Sequence, residues 1–322
     1  MIEELLPDPQ AHVHVVDDLS TSPLDLERYL SGLPHSERLT YTIGTVASFC
    51  DAGPTAFDRI YHLASVVGPA GVLPHAGRIV RSIVDDTYRL MDLARASGAR
   101  LLDVSTSEVY GGGSGGLCRE DTPKTVPAEV SVRLEYAVGK MAAETALINT
   151  CAVSDLDALV VRPFNIAGPR QSHKGGFVLA RFARQALLGE PLTVFGNGTQ
   201  MRAFTHARDV AQGLVAAMQR GRRAQVYNIG NPANRTTILD LARRVIALSH
   251  SRSDVVFVDP KTIFGPLYAE SPDKYPDASK AISELGWSPR YGIDDVIREA
   301  LSWAEPELTA EGSLSPKAGE RA

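Results

Sequence analysis

The sequence has few of the residues that cross-link a chain or bind a metal. It contains three cysteines, Cys50, Cys118 and Cys151, in 322 residues. They are widely spaced and odd in number, which argues against a disulfide framework and gives no metal-ligand spacing. The eight histidines are equally scattered, so no metal is expected. No apolar run approaches the length of a membrane span. Net charge is −5 and the pI is near 5.9, so the basic field of a nucleic-acid binder is missing. The first residues are acidic rather than basic and then apolar. No secretory signal is read there, and a cytoplasmic location is expected. What remains is ordinary for a soluble globular protein: 44% hydrophobic and 22% charged residues, in a chain long enough for a large core.

Strand and helix patterns alternate along the first half. Residues 13–16 read as a short buried strand, 24–33 as a short amphipathic helix and 59–63 as a strand. Residues 78–97 place Ile79, Ile83, Leu90, Leu93 and Ala94 at helical spacing, and Gly98 ends the run. Residues 100–106 and 156–162 read as strands, the second centred on Ala158-Leu159-Val160-Val161, with a long helix over 132–150 between them. This alternation implies an α/β fold with a parallel, doubly wound sheet. Beyond Gly168 the pattern loosens, with helices at 177–189, 209–220 and 238–249 and a short strand at 191–195. Residues 305–322 are rich in Glu, Ser, Pro and Gly without periodicity and read as a disordered tail.

Within the long helix, Tyr136 and Lys140 stand at i and i+4 and so share a face. An ammonium close to a phenol favours the phenolate and brings the tyrosine toward the range of a general base. Thr106, at the end of an apolar strand, offers a hydroxyl to the same substrate oxygen. A Tyr-x-x-x-Lys pair is common in helices, so its meaning depends on context. The cluster Gly111-Gly112-Gly113-Ser114-Gly115-Gly116 formally satisfies GxGxxG and follows a strand. It leads into Leu117-Cys118-Arg119-Glu120-Asp121-Thr122-Pro123, which has no helical period. The strand–turn–helix context of a phosphate site therefore fails, and the cluster reads as a loop beside the site.

Seven segments in order supply the context. They are His12-Val13-His14-Val15-Val16-Asp17-Asp18, Asp58-Arg59-Ile60-Tyr61-His62-Leu63-Ala64-Ser65, and the Ser105-Thr106-Ser107-Glu108-Val109-Tyr110-Gly111 stretch followed by Tyr136 and Lys140. After these come Arg162-Pro163-Phe164-Asn165-Ile166-Ala167-Gly168-Pro169-Arg170-Gln171, then Gly196 to His206, and finally Val226 to Asn231 with Leu285 to Pro289. Together they resemble the extended short-chain dehydrogenases/reductases, the NAD-dependent epimerase/dehydratase family that remodels nucleotide sugars, from about residue 12 to about residue 303.

The resemblance implies a Rossmann-type domain over 1–165, to which 203–235 return, and a smaller substrate lobe over 166–304. It implies NAD as cofactor, a UDP-linked nucleotide sugar as substrate and a homodimer. The family opens with a strand and a GxxGxxG turn that holds the dinucleotide pyrophosphate at a helix N-terminus. Here Met1-Ile2-Glu3-Glu4-Leu5-Leu6-Pro7 resembles the tail of the first helix running into the second strand. The expectation is a sheet without its first strand, with open edges on both sides of the gap.

The resemblance also assigns residues. Asp17, with Asp18 beside it, would hold the adenosine ribose and repel a 2′-phosphate. Leu63, Ala64, Pro163, Tyr136 and Lys140 would line the rest of the NAD. Gly44-Thr45-Val46-Ala47-Ser48 stands where the family carries GDxxD, and Ile83 stands where it carries a supporting Asn. Thr106, Glu108, Tyr136 and Lys140 would be catalytic. Thr106-Ser107-Glu108 lacks the Asp of the family's dehydratases and matches its UDP-glucuronate decarboxylases, as does Arg133 three residues before Tyr136. Asn165 and Arg202 would hold the substrate pyrophosphate, and Val178 the base. Lys274, in Lys274-Tyr275-Pro276-Asp277, stands where those decarboxylases carry the Arg that protonates the enolate. Decarboxylation of a hexuronate is thus the first reading. Epimerisation at carbon 4 is the second, and a silent nucleotide-sugar-binding homologue the third.

Overall fold

The structure, a computed structural model, describes residues 1–22, 25–53, 56–111 and 116–310. Residues 112–115 of the glycine-rich loop and 311–322 of the tail lie outside the described residues.

The first half contains α1 (Ile2–Leu5), β1 (Val13–Asp17), α2 (Leu26–Ser31), β2 (Leu39–Ile43), α3 (Val46–Asp51), β3 (Arg59–His62), α4 (Ile79–Ser97), β4 (Arg100–Val104), β5 (Leu117–Cys118), α5 (Val132–Val153) and β6 (Ala158–Pro163). Then come β7 (Ile166–Ala167), α6 (Val178–Leu188), β8 (Leu192–Phe195), β9 (Met201–Ala203), β10 (Thr205–His206), α7 (Ala207–Arg220) and β11 (Val226–Ile229). The last are β12 (Arg235–Thr237), α8 (Ile238–Ser249), β13 (Val255–Val258), α9 (Lys261–Phe264), β14 (Tyr275–Pro276), α10 (Ser279–Leu285) and α11 (Ile293–Ala310).

Four parallel strands form the main sheet in the order β11-β6-β4-β3. Every residue of β6 is buried, as expected of a central parallel strand covered on both faces. On one face Leu101 and Val160 pack with Leu90, Met91 and Leu147 of α4 and α5. On the other Leu102, Leu159 and Val161 pack with Leu214 and Met218 of α7 and with Trp287. α4 ends where expected, at Gly98 in the left-handed conformation (φ 68°). It runs close against α5 at Gly139, where an added Cβ would lie 3.2 Å from the Val80 Cα.

The sheet breaks after β3. Among the described residues β1 pairs only with β2, and β3 pairs only with β4. No residue of β1 is buried, and Ile43 and Leu63 are exposed. α1 packs instead on α7 and is held by Arg170–Glu3 (2.8 Å) and Gln212–Glu4 (3.2 Å). The Gly44–Ser48 stretch opens a capped helix, with Thr45 accepting from the Ser48 amide (3.1 Å).

The second lobe gathers α6, α8 and α11 around the parallel pair β8–β13 and one apolar cluster that includes Phe182, Leu241 and Ile297. The expectation of disorder from residue 305 is corrected at its start. α11 continues through Pro306 to Ala310, because Leu308 is buried and anchors the last turn. No helix among the described residues is long and apolar enough to cross a membrane.

Candidate active site

Two elements meet at the C-terminal end of β4. After Val104 the chain enters a tight turn over Ser107–Tyr110, where the Thr106 hydroxyl accepts from the Glu108 amide (3.2 Å). Gly111 ends the turn with φ 59°, and a Cβ there would meet the Thr125 carbonyl at 2.1 Å. α5 starts with Ser131 capping Leu134 (3.1 Å). The Glu135 carboxylate accepts from the amides of Gly77 (2.7 Å) and Ile79 (2.9 Å), tying the start of α4 to that of α5.

Tyr136 is half-buried against a cluster that includes Val72, Ile79 and Ile83. Burial raises its pKa, Thr106 opposes this, and the negative charges of Glu108 and Asp103 add to the rise. Lys140 shares the helix face but acts elsewhere. Its buried ammonium donates to the Val104 carbonyl (2.8 Å), and it is not among the groups that shift Tyr136. The expected lowering of the Tyr136 pKa by Lys140 is therefore corrected. Helical spacing fixes the shared face, whereas the end of β4 decides where the ammonium goes.

Facing Tyr136 is an ionic cluster. Glu108 accepts from Arg133 Nη1 (2.8 Å), from Lys274 Nζ and from the Ser271 hydroxyl (3.2 Å). Burial disfavours the Glu108 charge, but Arg133 and Lys274 outweigh it and hold the carboxyl well below its usual range. Arg133 is fixed further by donating Nε to the Ala269 carbonyl (2.8 Å). Lys274 is only 2% exposed. Burial pulls its pKa down to about 8, with Arg133 and Arg202 pushing the same way and Glu108 opposing. β14 positions it by pairing with β5, the strand that follows the Thr-Ser-Glu turn and glycine loop.

The remaining candidates divide into two groups. Arg202 bridges to Lys274 through the backbone, and its guanidinium donates to Glu270 (2.9 Å) and to the carbonyls of Ser271 (2.6 Å), Met201 (2.8 Å) and Pro272 (3.1 Å). Asn165, at φ 36°, donates to the Ala203 carbonyl (3.2 Å) and so ties its turn to β9. Val178 opens α6, one turn before Arg181, whose guanidinium lies 4.0 Å over the Phe195 ring. Across the break in the sheet, Asp17 is exposed at the end of β1 and accepts from the Leu19 amide (2.7 Å). Asp18 accepts from the Ser20 amide (3.0 Å). Leu63 and Ala64 are exposed past β3, and Pro163 is buried at the end of β6.

These residues fit a nicotinamide dinucleotide at its ends and not at its middle. Tyr136, Lys140 and Thr106 suit a nicotinamide ribose, and Asp17 suits an adenosine ribose. Residues 1–12, through which α1 passes toward β1, contain no glycine that could form a pyrophosphate turn there. Among the described residues no cluster suits a metal ion. Sequence reasoning missed Ser271, Glu270 and Tyr268, which lie on an irregular segment without a motif. It also missed Asp103, whose signal was a lone carboxylate in the apolar run Leu101-Leu102-Asp103-Val104.

Comparison with known proteins identifies the family and the fold. The model of the NAD dependent epimerase/dehydratase family matches residues 1–230. The UDP-N-acetyl-alpha-D-glucosaminuronate decarboxylase of Bacillus cytotoxicus is 30% identical over 248 residues, covering 76% of this chain and 76% of that protein. UDP-glucuronic acid decarboxylase 1 of Danio rerio is 34% identical over 252 residues; the match covers 78% of this chain but only 58% of that protein. The crystal structure of the UDP-glucuronic acid 4-epimerase of Bacillus cereus, in complex with UDP-glucuronic acid and NAD, shares the fold. Its TM-score is 0.80 at 24% identity, over 95% of this chain and 94% of that one. With the family model matching most of the sequence and the Thr106, Tyr136 and Lys140 site at the end of the main sheet, this chain belongs to the NAD dependent epimerase/dehydratase family.

Proposed function

We propose that the protein oxidises a UDP-linked hexuronate at carbon 4 and releases its carboxylate as carbon dioxide. One observation carries this reading: the Glu108–Lys274–Arg133 cluster beside Thr106 and Tyr136. Bound NAD would take up the hydride from carbon 4 and return it at the end of the cycle. Thr106 and Tyr136 bind the carbon 4 oxygen, and Tyr136 exchanges its proton. The 4-keto acid then breaks its C5–C6 bond, carbon dioxide leaves, and the electron pair stays on the enolate. Glu108 repels the substrate carboxylate toward that loss. Lys274 gives the proton to carbon 5. Its lowered pKa suits a proton donor near neutral pH, a role that an arginine fills less readily. A homodimer is part of the proposal, as is a cytoplasmic location.

Epimerisation of a neutral sugar at carbon 4 would use Thr106, Tyr136 and Lys140 and give Glu108 no substrate carboxylate to handle. The silent-homologue reading draws on the open edges of β1 and β3. The test is carbon dioxide release from UDP-glucuronate with saturating NAD. Glu108→Gln and Lys274→Ala are expected to abolish release while leaving the first oxidation visible as NADH absorbance. Interconversion of UDP-glucose and UDP-galactose without turnover of UDP-glucuronate would replace this reading by the epimerase. No turnover of either by NAD-loaded protein would replace it by the silent homologue.

A further inference from the structure

We propose that Asp103, held in place by His62, is the counter-ion that keeps the buried Lys140 charged beneath Tyr136. The His62–Asp103 pair would then be a positioning element of the site. The inference rests on reading Tyr136 and Lys140 as the active site.

Asp103 lies within β4, flanked by Leu102 and Val104, and is 0% exposed. His62 stands directly across from it in the register of β3 and β4, where side chains on one face are neighbours. The ring nitrogen His62 Nδ1 lies 2.7 Å from Asp103 Oδ1. The other carboxylate oxygen, Oδ2, is buried and has no hydrogen-bond partner among the described residues. A buried carboxylate with one oxygen unpartnered is costly unless a positive charge stands near. Lys140 is that charge: its ammonium is anchored on the carbonyl of Val104, the next residue of the strand.

The need is mutual. A fully buried lysine without a counter-ion loses its proton at about pH 5–6. Every charged group acting on Lys140 is a carboxylate: Asp103 from β4 first, then Glu144 from its own helix and Asp86 from α4. Glu144 is already committed to Arg162 (2.7 Å), Lys124 (2.6 Å) and the Ser105 hydroxyl. Asp86 is held toward its neutral form by burial. That leaves Asp103 as the carboxylate free to balance Lys140. His62 supplies orientation by spending one oxygen and fixing the plane of the other.

The chain has seven lysines, so the side-chain 13Cε resonances of lysine-labelled protein can be resolved, with Lys140→Met assigning the signal. In the wild-type protein the Lys140 resonance is expected at its ammonium position at neutral pH. In Asp103→Asn its titration midpoint is expected to fall by about two units or more. An unchanged midpoint in folded Asp103→Asn would overturn the proposal. Should that variant not fold, the wild-type protein decides alone, because a neutral-amine signal for Lys140 at neutral pH also overturns it. The readout needs no substrate, so its failure is separate from a failure of the functional reading.

Discussion

Replacing Lys274 by Met removes one buried ammonium and keeps most of the side-chain volume. In the folded protein, burial brings the Lys274 pKa from 10.5 to about 8. Between those values the unfolded chain still holds a proton that the folded protein has released. Stability of the wild type therefore rises with pH across that window, by about 1.4 kcal/mol per unit and about 3 kcal/mol at most. Lys274→Met has no such rise. At neutral pH two effects oppose each other in the variant. Breaking a buried pair costs about 3 kcal/mol at the low end, and Glu108 keeps Arg133 at 2.8 Å and Ser271 at 3.2 Å. Relief from burying the ammonium offsets a similar amount, so the neutral-pH difference is expected within about 2 kcal/mol. It should then widen in favour of the wild type as pH rises past about 8. Glu108 supplies the acid-side check. Its lowered pKa gives stability that is present above the unfolded value of 4.5 and lost as pH falls below it, and this loss should be shallower in the variant. Urea denaturation of both proteins at several pH values from neutral to alkaline measures the difference. A difference that stays constant with pH would refute the assignment of Lys274 as a destabilised buried ammonium.

Tyr136→Phe and Thr106→Val are each expected to lower turnover by about two to four orders of magnitude, because in the proposed reaction each would lose a group on the carbon 4 oxygen; near-normal rates in Tyr136→Phe would mean that the proton goes elsewhere. Calorimetric titration of the 322-residue chain is expected to give a Kd for NAD above about 1 μM, since residues 1–12 before β1 contain no glycine for a pyrophosphate turn, and weaker binding still for NADP because of Asp17. Submicromolar NAD binding would show that the pyrophosphate is held without that turn.

The central strands and long helices were legible because their signals are local. Ala158–Val161 is a continuous apolar run, and it forms the fully buried strand between β4 and β11. Gly98 marked a helix end and adopts the left-handed conformation that ends one. β2, α10 and α11 were harder. Leu39–Ile43 alternates with threonine and tyrosine on a strand that stays half-exposed, and Pro306 hides the continuation of α11. Within the site, motif order brought Thr106, Glu108, Arg133 and Tyr136 into one frame. It did not show that Ser271 and the 269–272 carbonyls close that frame, because they come from an irregular segment. The His62–Asp103 pair depended on strand register, which no single-strand pattern contains.

Register also explains why two buried lysines have different charged surroundings. Both are almost fully buried, and burial alone would discharge both. Around Lys140 the acting charges are all carboxylates, one of them placed by the cross-strand histidine. Around Lys274 one carboxylate is opposed by the guanidiniums of Arg133 and Arg202. Burial lowers the pKa of both, but the acting charges all oppose it at Lys140, whereas at Lys274 two guanidiniums add to it. In the proposed reaction this difference around Lys140 and Lys274 would favour decarboxylation over epimerisation of a neutral sugar.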